Sequence, residues 1–206
     1  MSLRRFVEPK PRPPLGENCE FCGTAVSEPH SHVVQLESRR LMCACRPCYL
    51  LFAPEGAGAG KYRAVPERYL SWGGSVFSQG QWDRLQIPVE MAFFFQNSAE
   101  GRTVAFYPSP AGATESLLPL ETWAEVLREN PRLSDLVPDV EALLVYGKRG
   151  SFESYLVPID ACYELVGRVK LSWKGFDGGE EAWRQIEDFF GKVRERCPKN
   201  PSGSDS

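Results

Sequence analysis

The chain has 206 residues, of which 42% are hydrophobic, 25% charged and 12% aromatic, with a net charge of −3 and an isoelectric point near 5.6. This is the composition of a globular protein, either one ordinary domain or a small module beside a compact domain of roughly 100–150 residues, and it excludes wholesale disorder. No apolar run approaches the roughly 18–20 residues of a membrane helix, and residues 1–10 lack the apolar core of a secretory signal, so a soluble cytoplasmic protein without a membrane span is expected.

Charge argues against a nucleic-acid partner. Residues 1–50 carry a net of +2 and residues 51–206 a net of −5, whereas phosphate binding is driven by counterion release at a strongly basic surface. The local trio Arg39, Arg40 and Arg46 is a small patch by comparison.

In chain order, residues 1–16 are rich in proline and in lysine and arginine, with little to bury, and read as an extended tail. A Cys/His module follows over 17–52. It holds five of the seven cysteines (Cys19, Cys22, Cys43, Cys45 and Cys48) and both histidines, His30 and His32. An odd cysteine count without an export signal points to reduced thiols rather than a disulfide framework. Cys19-Glu-Phe-Cys22-Gly and Cys45-Arg-Pro-Cys48 are two C-x2-C pairs, each able to bring two sulfurs to one tetrahedral metal, with Gly23 giving the first its tight exit. Together they make a four-thiolate set suited to zinc, with mononuclear iron as the alternative.

Between the pairs, residues 32–36 and 41–45 read as the strands of a hairpin around residues 37–40. With Ser38 and Arg39 as a two-residue turn, Glu37 pairs with Arg40 and His32 lies opposite Cys45. His30, His32, Cys43 and Cys45 then share one face, an alignment that a turn one residue longer breaks. Cys48-Tyr-Leu-Leu-Phe52 opens a short helix, which puts the second pair at a helix start, where the backbone dipole favours thiolates. Knuckle, hairpin and ligand-bearing helix follow one another in the order of a treble clef, or more loosely of a zinc ribbon. His30, His32 and Cys43 are surplus to one tetrahedral site. They are expected to pack and hydrogen-bond around the ligating thiolates, with a second metal site, or exchange with a knuckle cysteine, as alternatives. Glu28 and Glu37 are further oxygen donors, expected to face solvent.

Residues 53–60, Ala-Pro-Glu-Gly-Ala-Gly-Ala-Gly, have the composition of a flexible linker to a body over 61–197. There, residues 89–95 and 103–107 read as a hairpin, and 108–115 as a loop that suits contact with a partner's backbone or serves as a plain connection. A helix is expected over 120–129, strands over 143–146 and 155–157, and a helix over 161–169 capped by Asp160. The strongest helix spans 180–194, with Trp183, Ile186, Phe189, Phe190 and Val193 on one stripe, acids early and bases late. Residues 198–206 form a disordered tail. The fold expected is therefore α+β, a small Cys-rich module followed by an α+β domain with a mainly antiparallel sheet.

Signs of catalysis are few. The body has no P-loop, no Gly-x-Gly-x-x-Gly after a strand and no Gly-x-Ser-x-Gly, and with both histidines in the module it has no histidine for acid–base work. Cys162 reads as a buried core thiol before a nucleophile, and Cys197 as an incidental exposed thiol. The hairpin histidine ahead of Cys45–Cys48 faintly resembles an HNH endonuclease, but Tyr49 stands where a metal-binding histidine often follows the last cysteine. A rubredoxin-like iron site is chemically closer, although that family's second knuckle usually ends in Cys-Gly.

Several blocks carry a broader resemblance. They are Cys-Glu-Phe-Cys-Gly, His-Ser-His, Leu-Met-Cys-Ala-Cys-Arg-Pro-Cys, Ala-Phe-Phe-Phe-Gln-Asn-Ser, Ala-Phe-Tyr-Pro-Ser-Pro-Ala-Gly-Ala-Thr-Glu-Ser, Leu-Val-Pro-Ile-Asp-Ala-Cys-Tyr-Glu-Leu-Val-Gly and Trp-Lys-Gly-Phe-Asp-Gly-Gly-Glu-Glu-Ala. Over nearly all of residues 15–195 the chain resembles an uncharacterised bacterial family, a domain of unknown function often encoded beside uptake nickel–iron hydrogenase genes. The resemblance implies a zinc-binding, non-catalytic accessory protein that contacts a hydrogenase subunit or maturation factor. An iron electron carrier for the hydrogenase is the alternative, and a metal-dependent hydrolase using His30 or His32 ranks last.

Overall fold

Residues 31–64 turn three short stretches into one sheet. β1 (Ser31–Gln35) pairs antiparallel with β2 (Arg40–Ala44) on one side and with β3 (Tyr62–Ala64) on the other, in the order β2-β1-β3. Between β2 and β3 lies α1 (Arg46–Phe52), with a proline in its first turn, where the missing N–H has no helical partner to lose. The computed structural model describes residues 17–148, 151–175 and 177–198, so the expected tail at 1–16 and all but Pro198 of that at 198–206 lie outside the described residues.

The chain divides into two compact units between Ala64 and Val65. Residues 53–60, expected as a linker, run inside the first unit and lead into β3, which the register Val33↔Ala64, Val34↔Arg63, Gln35↔Tyr62 ties to β1. Packing requires a glycine at one position of this stretch, Gly58. Its φ is +59°, and a Cβ there would stand 2.9 Å from the Tyr62 ring and 3.1 Å from the Phe52 ring. Those two rings and Phe21 form an aromatic cluster, with centroids 4.6 Å (Phe21–Phe52) and 5.1 Å (Phe52–Tyr62) apart. The first cysteine knuckle, the end of α1 and the start of β3 thus pack on one another.

The hairpin differs from expectation in its turn. Gln35 pairs with Arg40, so residues 36–39 make a four-residue turn, and Arg39 takes a φ of +55°. The register moves by two residues, and His32 lies opposite Cys43 instead of Cys45. Because strand side chains alternate with a period of two, a shift of two leaves His32 and Cys43 on their expected face, whereas Cys45 leaves that face, since β2 ends at Ala44 and Cys45 caps α1.

The second unit is built on a six-stranded antiparallel sheet, in the order β4-β9-β8-β5-β6-β7. The strands are β4 (Leu70–Ser71), β5 (Met91–Asn97), β6 (Arg102–Ser109), β7 (Gly112–Ser116), β8 (Glu141–Lys148) and β9 (Ser151–Pro158). The helices are α2 (Gln79–Leu85), α3 (Leu120–Glu129), α4 (Ile159–Ser172) and α5 (Gly179–Arg196). Central β5 and β8 read as unbroken apolar runs because both faces of the sheet are covered. On one face Phe94 stacks on Trp123 of α3 at 5.3 Å, and Phe77 completes a triangle of rings at 5.2 Å from Phe94 and 6.4 Å from Trp123. On the opposite face Tyr146 stacks on Phe190 of α5 at 4.0 Å, and Phe93 meets Tyr163 of α4 at 6.2 Å. The result is a three-layer α+β unit with an antiparallel sheet.

Four local expectations need correction. Residues 108–115 form the β6–β7 hairpin instead of a loop. β6 has left β5 after Phe106, so Pro108 breaks no bond to β5, and the Ser109 hydroxyl accepts from Ala111 N–H to close the turn. α4 begins at Ile159 with Pro158 before it, which puts Asp160 inside the first turn and not at the cap. Trp183 remains 44% exposed, so the buried stripe of α5 runs over Ile186, Phe189, Phe190 and Val193. Cys197 is buried, at 7% exposure, instead of exposed. No helix among the described residues is long and apolar enough to cross a membrane.

Candidate metal centre

Two backbone turns aim four sulfurs at one point. In the first, Cys19 N–H donates to Thr24 O (2.8 Å) and Gly23 N–H donates to Cys19 O (2.8 Å), with Gly23 at φ +75°. A Cβ-bearing residue pays for that backbone in strain, which is why glycine follows the pair. In the second, Tyr49 N–H donates to Cys45 O (2.9 Å), so Cys45 sits at the cap of α1 and Cys48 within its first turn. The Sγ atoms of Cys19, Cys22, Cys45 and Cys48 all lie within 4.8 Å of one another.

The spacing fits a tetrahedral metal and not a disulfide. Cys22 Sγ and Cys45 Sγ are 3.6 Å apart. Metal–sulfur bonds of about 2.3 Å give a tetrahedron with edges of about 3.8 Å, whereas a disulfide needs about 2.05 Å. All seven cysteines are free thiols. Electrostatics within the cluster divide it. Burial pushes the Cys19 thiol up, but backbone N–H groups of Cys45, Cys22 and Phe21 outweigh it and hold the pKa down at about 6. Thr24 lowers Cys22. Cys45 is raised, its backbone stabilisation by Cys48 overcome by burial and by the neighbouring sulfurs, and burial followed by those same sulfurs pushes Cys48 up to about 12. Four thiols this close ionise together only when a cation offsets their repulsion, so the donor set fits a thiophilic metal ion.

The histidines gather elsewhere in the same unit. Ligand atoms of His30, His32 and Cys43 lie within 4.8 Å of one another, and the two imidazole rings are 4.7 Å apart. Cys43 and His32 face each other across β1 and β2, and His30 is two residues before His32 on the same face. Burial raises the Cys43 thiol, with Glu17, Glu20 and Glu28 adding to it.

Two of these carboxylates carry roles that no sequence pattern reveals. Glu20 accepts from Cys43 N–H (3.0 Å) and pairs with Arg40, while its own N–H donates to Cys43 O (2.9 Å), so the first knuckle is pinned to β2. Glu17 lies 3.3 Å from His30 Nε2, and Glu17, Glu28 and His30 also have donor atoms within 4.8 Å of one another. Their only sequence signal is proximity to the cysteines. Glu37 stands in the hairpin turn.

In the second unit Cys162 is fully buried on α4, and burial lifts its thiol well above the ordinary range. That environment suppresses the thiolate a nucleophile needs. Cys197 borders a cavity of about 340 Å³ with Ser71, Arg132, Tyr155 and Arg194. Its two cations are engaged by the fold, Arg194 on Glu153 (2.7 Å) and Arg132 over the Trp72 ring.

No curated protein and no solved structure matches the chain. A family model described as a family of unknown function (DUF5947) matches residues 18–197, and the chain belongs to that family.

Proposed function

We propose that the chain, as a member of this family, is a cytoplasmic, non-catalytic accessory protein whose first unit is a treble-clef module organised by one zinc ion on Cys19, Cys22, Cys45 and Cys48. The observation that carries the reading is the convergence of four sulfurs from two C-x2-C turns within 4.8 Å. A closed set of four protein thiolates leaves no position for a substrate, which is the pattern of structural zinc. The order of elements supports the treble clef, with the knuckle at 19–22, the β1–β2 hairpin, and α1 bearing Cys48. Exposed Leu50 and Leu51 on that helix (52% and 69%) support action through protein contacts. The sequence resemblance names the partner class, a nickel–iron hydrogenase subunit or maturation factor.

The same four thiolates suit iron, which keeps a rubredoxin-like electron carrier as the second reading. The test is elemental analysis with a visible spectrum, on full-length protein produced without added metals, together with Cys22→Ser and Cys45→Ser. Zinc without visible absorption, lost by one equivalent in both variants, is the expected result. Iron with thiolate charge-transfer bands overturns zinc in favour of electron transfer, and full metal retention in both variants overturns the site. For the partner, affinity capture from cells expressing a nickel–iron hydrogenase is expected to enrich one of its subunits or maturation factors, and capture that enriches neither overturns that part.

A further inference from the structure

We propose that His30, His32 and Cys43 form a second metal site, a zinc site with two imidazoles and one thiolate, whose fourth position is open to solvent or to the Glu17 carboxylate. It shares the first unit with the four-cysteine centre but none of its donors, so a variant of its own ligands leaves the four-sulfur set complete.

The sequence alone favoured a supporting role for these residues, in which they hydrogen-bond around the four thiolates. His30 argues against that. Its side chain is only 7% exposed, yet neither ring nitrogen makes a hydrogen bond among the described residues, and the Nε2 approach to Glu17 at 3.3 Å lacks hydrogen-bond alignment. Buried imidazoles ordinarily satisfy at least one nitrogen, because an orphaned buried polar group costs about 1–3 kcal/mol. A metal supplies what is missing, since an imidazole nitrogen lone pair is a ligand as readily as an acceptor.

Geometry and charge agree. Zinc with nitrogen bonds of about 2.0 Å and a sulfur bond of about 2.3 Å places its donors about 3.3–3.6 Å apart. The three donor atoms already lie within 4.8 Å of one another, so closure of about 1.5 Å at most completes the set. They are also held by the sheet. His32 and Cys43 are direct antiparallel partners, and alternation puts His30 on their face, so two strands fix the spacing of at least two ligands. The Glu17 carboxylate lies 3.3 Å from His30 Nε2, and Glu17 and Glu28 bring donor oxygens within 4.8 Å of that imidazole, so negative charge that attracts a divalent cation stands beside the site. Two nitrogens and one sulfur select a borderline metal such as zinc over the hard ions calcium and magnesium. Three protein donors with one exchangeable position distinguish this site from the closed four-thiolate set.

The test uses the full-length chain stripped of metal and titrated with Zn²⁺ alone, then with Co²⁺ as the optical probe, in parallel with His32→Ala and Cys43→Ser. Two equivalents are expected for the parent and one for each variant. The absorption of a four-thiolate Co²⁺ centre should be undiminished in both, which also certifies that they fold. One equivalent in the parent, unchanged in both variants and lost on Cys45→Ser, overturns the second site while leaving the first intact. No bound metal in the parent overturns both.

Discussion

The two units hold their sheets together by different means. In residues 65–198 the sheet is sandwiched between two helical layers, and the core is made of large apolar side chains such as Phe77, Phe93, Phe94, Phe190 and Leu144, each under 3% exposed. In residues 17–64 the buried apolar residues are Cys19, Val33, Val34, Ala44 and Cys48. Two of those five are thiols aimed at a common point, and none is larger than valine. A unit of this size with so little to bury cannot offset the entropy of ordering its chain by packing alone. The comparison teaches that a cysteine can occupy a core position for two unlike reasons. Cys162 is buried as a small apolar group, and Cys19 is buried as the inner corner of a metal-sized cage.

The largest expected effect comes from removing the proposed metal. Structural zinc contributes an apparent binding energy on the order of 10 kcal/mol to small modules. Chelation should therefore abolish amide-exchange protection over Ser31–Gln35 and Arg40–Ala44 while β8 keeps its own. Equal loss in both units would end the distinction drawn above. The converse experiment is Phe190→Ala, which empties the stack on Tyr146 and should cost the second unit about 3–5 kcal/mol in denaturant unfolding without changing metal content.

A smaller effect is expected at Glu141. It is 1% exposed, accepts from Arg68 Nε and Nη2 (2.7 and 2.5 Å), and also accepts from Val137 N–H (2.9 Å). Glu141→Ala leaves a partly exposed guanidinium and a backbone N–H without their carboxylate. The loss should be about 2 kcal/mol by urea titration, confined to the second unit. Smallest of all, Cys162→Ala should move stability by about 1 kcal/mol and leave metal content unchanged, and native Cys162 should resist alkylation that reaches it after unfolding.

The α+β class was legible because period-two and helical patterns are strong where one face is buried, and α3 occupies the expected residues. Legibility failed where tertiary context replaced local pattern. β3 and β4, with three and two residues, are too short to show a period, and the two prolines flanking Ser109 disguised a strand whose partner tolerates them. Leu36 reads as a strand residue but belongs to the turn, which moved the hairpin register by two. The cysteine spacing disclosed the four-sulfur cluster, and alternation along the strands brought His30, His32 and Cys43 to one face despite the wrong partner. Glu17 and Glu20 were invisible, because what they touch depends on how the first knuckle docks onto β2.

One pairing in the second unit has a temporal consequence. Among the described residues β4, at residues 70–71, finds its neighbour only in β9, through Leu70↔Leu156 and Ser71↔Tyr155. On the ribosome, every cysteine of the four-sulfur cluster has been polymerised by residue 48, and β3 by residue 64. β9 emerges about 5–20 s later at ordinary elongation rates. Throughout that interval the nascent first unit has its full complement of ligands, while β4 has nothing to join. Capture of the proposed metal thereby has a head start over closure of the larger sheet, and its scarcity during translation would be felt before β4 is paired.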